Sequence, residues 1–87
     1  MSDAPLVTVY GTTTCSYCGA ARMLLTRKAV KFEDIVIQDG SGRFEEMQQR
    51  SGSRSVPQIF IGNTHVGGFD ELCSLDKSGE LDKLLAG

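Results

Sequence analysis

Apolar and polar positions divide the chain into short segments. Leu6-Val7-Thr8-Val9-Tyr10 is rich in β-branched residues, is closed by Gly11 and reads as a strand. Gly11-Thr12-Thr13-Thr14 follows as a loop, and Ala20 to Lys28 reads as a helix. Around it Cys18, Ala21, Leu24 and Leu25 recur at helical spacing and mark the buried face. Arg22 and Arg27 are expected to face water, and Arg27 and Lys28 lie in the last turn, where cations suit the helix dipole. Gly19 weakens the first turns, at about 1 kcal/mol against Ala.

Phe32 to Ile37 is the second strand, and Gln38 to Gly42 a turn in which Ser41 can cap a helix from Arg43 to about Arg50. That helix has only Phe44 and Met47 as apolar anchors and is expected to pack lightly. After the loop Ser51 to Ser55, Val56 to Ile61 reads as a third strand, with Pro57 at its start where a missing N–H is tolerated. Gly62-Asn63 is a two-residue hairpin signal leading into a short fourth strand, Thr64 to Val66. Gly67-Gly68 breaks the pattern, and Asp70 can cap a helix from Glu71 to about Lys77. Ser78-Gly79 interrupts, and Glu80 to Ala86 closes the chain with Leu81, Leu84 and Leu85 on one face. The order is β-α-β-α-β-β-α plus a short C-terminal helix. A β-α-β opening needs a parallel pair joined by a crossover, and the later hairpin is antiparallel, so a mixed sheet is expected.

Composition narrows the class. At 87 residues the chain fits one domain with a modest core, and 40% hydrophobic with 23% charged residues is ordinary for a soluble globular protein. A net charge of −2 leaves no basic patch with interleaved aromatics, which argues against nucleic acid. No apolar run approaches the roughly 20 residues that cross a bilayer, and the first residues lack the basic-then-apolar pattern of a signal peptide. Three cysteines are too few, and odd in number, for a secreted disulfide scaffold, so the reducing cytoplasm is the expected compartment.

The chemistry concentrates at Cys15-Ser16-Tyr17-Cys18. The pair lies where a strand turns into a helix, with Cys15 at or next to the helix N-terminus. There unpaired backbone N–H groups and the positive end of the dipole favour an anion and lower a thiol pKa from about 8.5. The thiolate is the nucleophile of thiol–disulfide exchange, and Cys18, one turn on, is placed to attack a disulfide formed at Cys15. A structural zinc site would want four Cys or His ligands in paired clusters, and only Cys73 and His65 remain. A structural Cys15–Cys18 disulfide would close too small a loop to stabilise much. Redox chemistry is the reading this context favours.

Three separated motifs then carry a resemblance: Cys15-Ser16-Tyr17-Cys18, Ser55-Val56-Pro57 and Gly67-Gly68-Phe69-Asp70. In this order and spacing the chain resembles a dithiol glutaredoxin over nearly its whole length, as a single domain spanning residues 1–87. The resemblance implies an α/β thioredoxin-like fold, a four-stranded mixed sheet flanked by helices. It also implies a glutathione-dependent thiol–disulfide oxidoreductase in which Cys15 attacks and Cys18 resolves. Glutathione, a cosubstrate, would lie in a groove between the motifs. There a cis proline matching Pro57 would leave the Val56 N–H and C=O free to pair with it as an added strand. Gly68 would let backbone approach closely, the Phe69 and Asp70 N–H groups would bind the γ-glutamyl carboxylate, and the Asp70 carboxylate its ammonium. Asp70 as a plain N-cap is the simpler role. Tyr17 would pack over the ligand, or else be a partly exposed aromatic.

Two departures from the family pattern matter. Thr12 stands where many glutaredoxins carry a lysine that favours the thiolate and the glycyl carboxylate. Arg54 is the best cationic substitute for the carboxylate, against a solvated loop charge. Ser16 replaces a commoner proline, leaving a less rigid turn with one more N–H. Some glutaredoxins with serine at that position hold a [2Fe–2S] cluster between two subunits, each giving its first cysteine and a bound glutathione. Cluster carriage by a homodimer through Cys15 is therefore the alternative function. Otherwise no metal is required, and a monomer is expected. A thioredoxin-like reductase serviced by a flavoprotein is the weaker third reading, against which Gly67-Gly68-Phe69-Asp70 argues. The family links such proteins to glutathionylated or disulfide-bonded clients, ribonucleotide reductase among them. Cys73 reads as a small buried hydrophobe and His65 as an exposed strand residue.

Overall fold

The computed structural model describes residues 5–38 and 40–86. Most of the lead-in expected over residues 1–5, and Asp39 of the Gln38–Gly42 turn, lie outside the described residues. The elements are β1 (Val7–Gly11), α1 (Ser16–Arg27), β2 (Phe32–Val36), α2 (Arg43–Ser51), β3 (Gln58–Ile61), β4 (Thr64–Gly67), α3 (Phe69–Ser78) and α4 (Glu80–Ala86). The sheet order is β2-β1-β3-β4. β1 pairs parallel with β2 (Val7 opposite Phe32) and antiparallel with β3 (Val7 opposite Ile61), and β3 pairs antiparallel with β4. The expected mixed sheet forms with β1 and β3 in its interior, and every residue of both is buried.

Period-two alternation sorts the strand side chains between two layers. Val7, Val9, Ile59 and Ile61 meet Ala21, Leu24 and Leu25 of α1, Leu72 of α3 and Leu81 of α4 in an aliphatic core. Tyr10, Ile35 and Phe60 meet Met47 of α2, with Phe44 packed against them. α2 thus docks through the two anchors its sequence offers, and Met47 is fully buried.

Helix starts differ most from the sequence reading. α1 begins at Ser16 rather than Ala20, because Cys15 acts as its N-cap: the sulfur accepts from the Cys18 N–H at 3.4 Å. α2 begins after Gly42, which makes no side-chain cap; Ser41 Oγ accepts from the Arg43 N–H at 3.3 Å, one position further out than expected. α3 begins at Phe69 with Gly68 in the cap position, so Asp70 lies inside the first turn and is not the N-cap. Glu71 ties down that start, its Oε1 accepting from the Gly68 N–H at 2.7 Å. Gly67, with φ at +115°, makes room for this bond, since a Cβ there would sit 2.9 Å from Glu71 Oε1. β3 starts at Gln58, after a cis Val56–Pro57 peptide.

Candidate active site

The first turn of α1 carries both cysteines on opposite sides. Cys15, in extended backbone as the N-cap, is half-buried, while Cys18 points inward and is 0% exposed. Gly11, the last residue of β1, permits that inward position. A Cβ there would lie 2.8 Å from Cys18 Sγ and 3.0 Å from Arg22 Nη2.

The two thiols are pushed in opposite directions. The Cys18 side chain, hydrogen-bonding to Cys15, holds the Cys15 thiol below its ordinary value. Burial opposes that shift, and the backbone N–H groups of Cys18 and Tyr17 and the Arg22 charge reinforce it. Burial pushes Cys18 above its ordinary value, and proximity to Cys15 adds to this. The Thr12 backbone and the Arg22 charge oppose it. Cys15 is therefore the thiol more readily ionised, and also the accessible one.

Beside Cys15 runs a groove of about 270 Å³, lined by Tyr17, Ser55, Val56, Pro57, Gly68, Phe69, Asp70 and Glu71. The Cys15 sulfur lies 4.0 Å from the Val56 carbonyl oxygen. Tyr17 is 62% exposed and its ring centre is 6.0 Å from that of Phe69. Asp70 is exposed in the first turn of α3, where a helix presents unpaired N–H groups. The fold thus brings Tyr17, Ser55, Val56, Pro57, Gly68, Phe69 and Asp70 of the three motifs together along one groove, and adds Glu71.

Arg54 is placed elsewhere. It does not line the groove, and its guanidinium sits 5.8 Å from the Phe44 ring centre. His65 is exposed on β4 as expected, yet it stacks on Phe60 at 4.9 Å and its Nε2 lies 2.7 Å from Gln58 Oε1. The Gln58 amide in turn donates to the Ser55 carbonyl and hydroxyl, bracing one wall of the groove. Cys73 packs, partly buried, against the aliphatic core.

Arg22 corrects the sequence reading. Instead of facing water, its side chain is only 20% exposed and lies across the inner side of the cysteine pair. Nε donates to Asp34 Oδ1 at 2.9 Å and Nη1 to the Thr12 carbonyl at 3.2 Å. One signal was available: Arg22 follows Cys18 by four positions, which places the two on one helix face.

Among the described residues, no three His, Cys, Asp or Glu side chains converge to hold a metal ion. Of the active-site pair only Cys15 opens toward the groove, so a [2Fe–2S] cluster would need thiolates from outside this chain.

The family model named Glutaredoxin matches residues 7–66. The chain is 45% identical over 82 residues to the glutaredoxin of Pseudomonas aeruginosa, covering 94% of this chain and 98% of that one. Its structure is similar to the solution structure of glutaredoxin from Brucella melitensis, with a TM-score of 0.83, 43% identity and coverage of 95% and 90%. It is also similar to the crystal structure of a buckwheat glutaredoxin–glutathione complex, with a TM-score of 0.82, 29% identity and coverage of 97% and 78%.

Proposed function

This chain belongs to the glutaredoxin family of thiol–disulfide oxidoreductases, and we propose that it draws its electrons from glutathione. One observation carries this reading: the more acidic, accessible thiol opens beside a groove whose far end is the start of a helix.

On a glutathionylated client, the Cys15 thiolate attacks the glutathione sulfur. The client thiol leaves, and Cys15 carries the glutathione as a mixed disulfide. A second glutathione attacks that sulfur, restoring Cys15 and releasing oxidised glutathione. On a client disulfide, Cys15 forms the mixed disulfide and Cys18 displaces the client.

The groove suits a short extended peptide with its sulfur toward Cys15. Val56 would pair with its backbone, Tyr17 and Phe69 would flank it, and Pro57 and Gly68 would give close approach. The Phe69 and Asp70 N–H groups would take the γ-glutamyl carboxylate, and the Asp70 carboxylate its ammonium. Arg54 would have to leave the Phe44 ring to reach the glycyl carboxylate. That the similar buckwheat glutaredoxin was solved as a complex with glutathione supports glutathione as the ligand. Cluster carriage would take Cys15 and a bound glutathione from each of two copies, whereas the opposite tendencies of Cys15 and Cys18 within one chain favour thiol exchange.

The test replaces the thiol donor. With a glutathionylated peptide as client, glutathione should sustain turnover at least about tenfold faster than cysteinylglycine, which lacks the γ-glutamyl group. Equal rates at equal thiol concentration would remove glutathione from the reading.

A further inference from the structure

We propose that Arg22 is the positioning residue for the resolving thiol: clamped by Asp34 and the Thr12 carbonyl, it holds a positive charge beside Cys18 and thereby favours the dithiol route. The inference rests on the reading of Cys18 as the resolving thiol.

Three observations converge on it. Two of the three guanidinium nitrogens are engaged, Nε by Asp34 at 2.9 Å and Nη1 by the Thr12 carbonyl at 3.2 Å. The third, Nη2, is buried with no hydrogen-bond partner among the described residues. A buried guanidinium nitrogen without an acceptor is costly, and proteins seldom leave one so. Nη2 and Cys18 Sγ border the same point, the place a Cβ on Gly11 would occupy, at 3.0 and 2.8 Å. Cys18 in turn is wholly buried, where a thiolate is disfavoured unless a cation or donor is near. The nitrogen that lacks an acceptor and the thiol that lacks a cation border that one point.

The groups acting on Cys18 are Cys15 on its own turn, the Thr12 backbone from the loop after β1, and Arg22. Asp34, from β2, acts through Arg22. When Cys15 carries glutathione or a client, its own negative charge is gone and Arg22 is the one charge left in that set. Cys18 then gives up its proton, and its thiolate attacks Cys15 Sγ. The Cys18–Cys15 bond forms as the bond from Cys15 to the outgoing sulfur breaks. The pair of cysteines is oxidised, and the released thiolate is reduced and takes up the proton. This also bears on Thr12, which stands where the family's lysine would be. The charge enters from one turn along the helix and serves the inner thiol.

The experiment is single-turnover release of glutathione from protein carrying it on Cys15, followed against pH for the wild type, Arg22→Met, Arg22→Lys and Cys18→Ser. Arg22→Met should slow release about tenfold near neutral pH and move the midpoint of the profile upward by about one pH unit. Its rate should approach that of the wild type once Cys18 ionises without help. Arg22→Lys, which retains the charge without the fork, should fall between the two. A merely structural role would scale the whole profile down without moving its midpoint, and that result would overturn the proposal, as would an unchanged profile. Cys18→Ser separates the two levels. If it releases glutathione as fast as the wild type, the resolving role of Cys18 fails. If it is inert while Arg22→Met is unaltered, only the inference about Arg22 fails.

Discussion

The two sides of the first turn of α1 are built from different materials. The outer side is a groove wall of backbone and aromatic groups, Val56, Tyr17 and Phe69, with Cys15 half-exposed beside it. The inner side is a packed pocket of Gly11, Thr12 and Arg22, with Cys18 sealed inside. Two identical thiols three positions apart thus acquire opposite tendencies: Cys15 is favoured as thiolate and Cys18 as thiol. Chemical identity does not separate the proposed nucleophile from the proposed resolver. Burial and the direction of the hydrogen bond between the thiols do, since Cys18 is the donor that holds down Cys15.

The largest test removes the outer thiol. Cys15→Ser should lower both deglutathionylation and protein-disulfide reduction by at least about a thousandfold, as loss of a covalent nucleophile does. Retained turnover in a client assay would place the nucleophile elsewhere. Removing the inner thiol should divide the two activities. Cys18→Ser should lose most dithiol-dependent reduction yet keep deglutathionylation within a few-fold, since glutathione from solution can release Cys15. Loss of both to the same extent, with the circular dichroism spectrum intact, would contradict the two-sided account.

A smaller effect is expected at the far end of the groove. Asp70→Ala should raise the KM for glutathione about tenfold, the scale of one charged hydrogen bond. Because Gly68 and Glu71 form the start of α3, the stability cost should stay within the roughly 0.3–1 kcal/mol of an acidic residue in a first turn. A Tm drop with unchanged KM would reduce Asp70 to support for the helix dipole. The smallest effect concerns the contact between the two sides. Cys18→Ala removes the donor that lowers the Cys15 pKa, whereas Cys18→Ser keeps a hydroxyl there. The Cys15 titration midpoint should therefore lie higher in the alanine variant. At a pH between the two midpoints its alkylation should be slower, because less thiolate is present. Coincident midpoints would remove Cys18 as the cause.

The strands and helix faces were legible because burial writes a period into sequence. Val7 and Val9 alternate with Tyr10 between the two core layers, and Ala21, Leu24 and Leu25 share one helix face. α4 was read at its observed bounds, Glu80–Ala86. Seven residues drawn from the three motifs do line one groove. Helix starts were less legible. A cysteine cap at Cys15 carries none of the usual Ser, Thr, Asp or Asn signal, and Asp70 presented that signal two positions too far in. Adjacency in sequence fixes neither the direction of a side chain nor its tertiary partners. Arg54 neighbours Ser55 yet lies over Phe44, contributed by α2. Arg22 looked like a surface charge, and only the parallel pairing of β1 with β2 delivers Asp34 to draw it across the cysteine pair.

The contrast between the two thiols is tested most directly by alkylating the reduced protein with iodoacetamide over a range of pH and quantifying each cysteine by mass spectrometry. Cys15 should react first, with a midpoint shifted down from that of an ordinary thiol, and Cys18 should lag, with a midpoint shifted up. Equal midpoints, or Cys18 reacting before Cys15, would contradict the account.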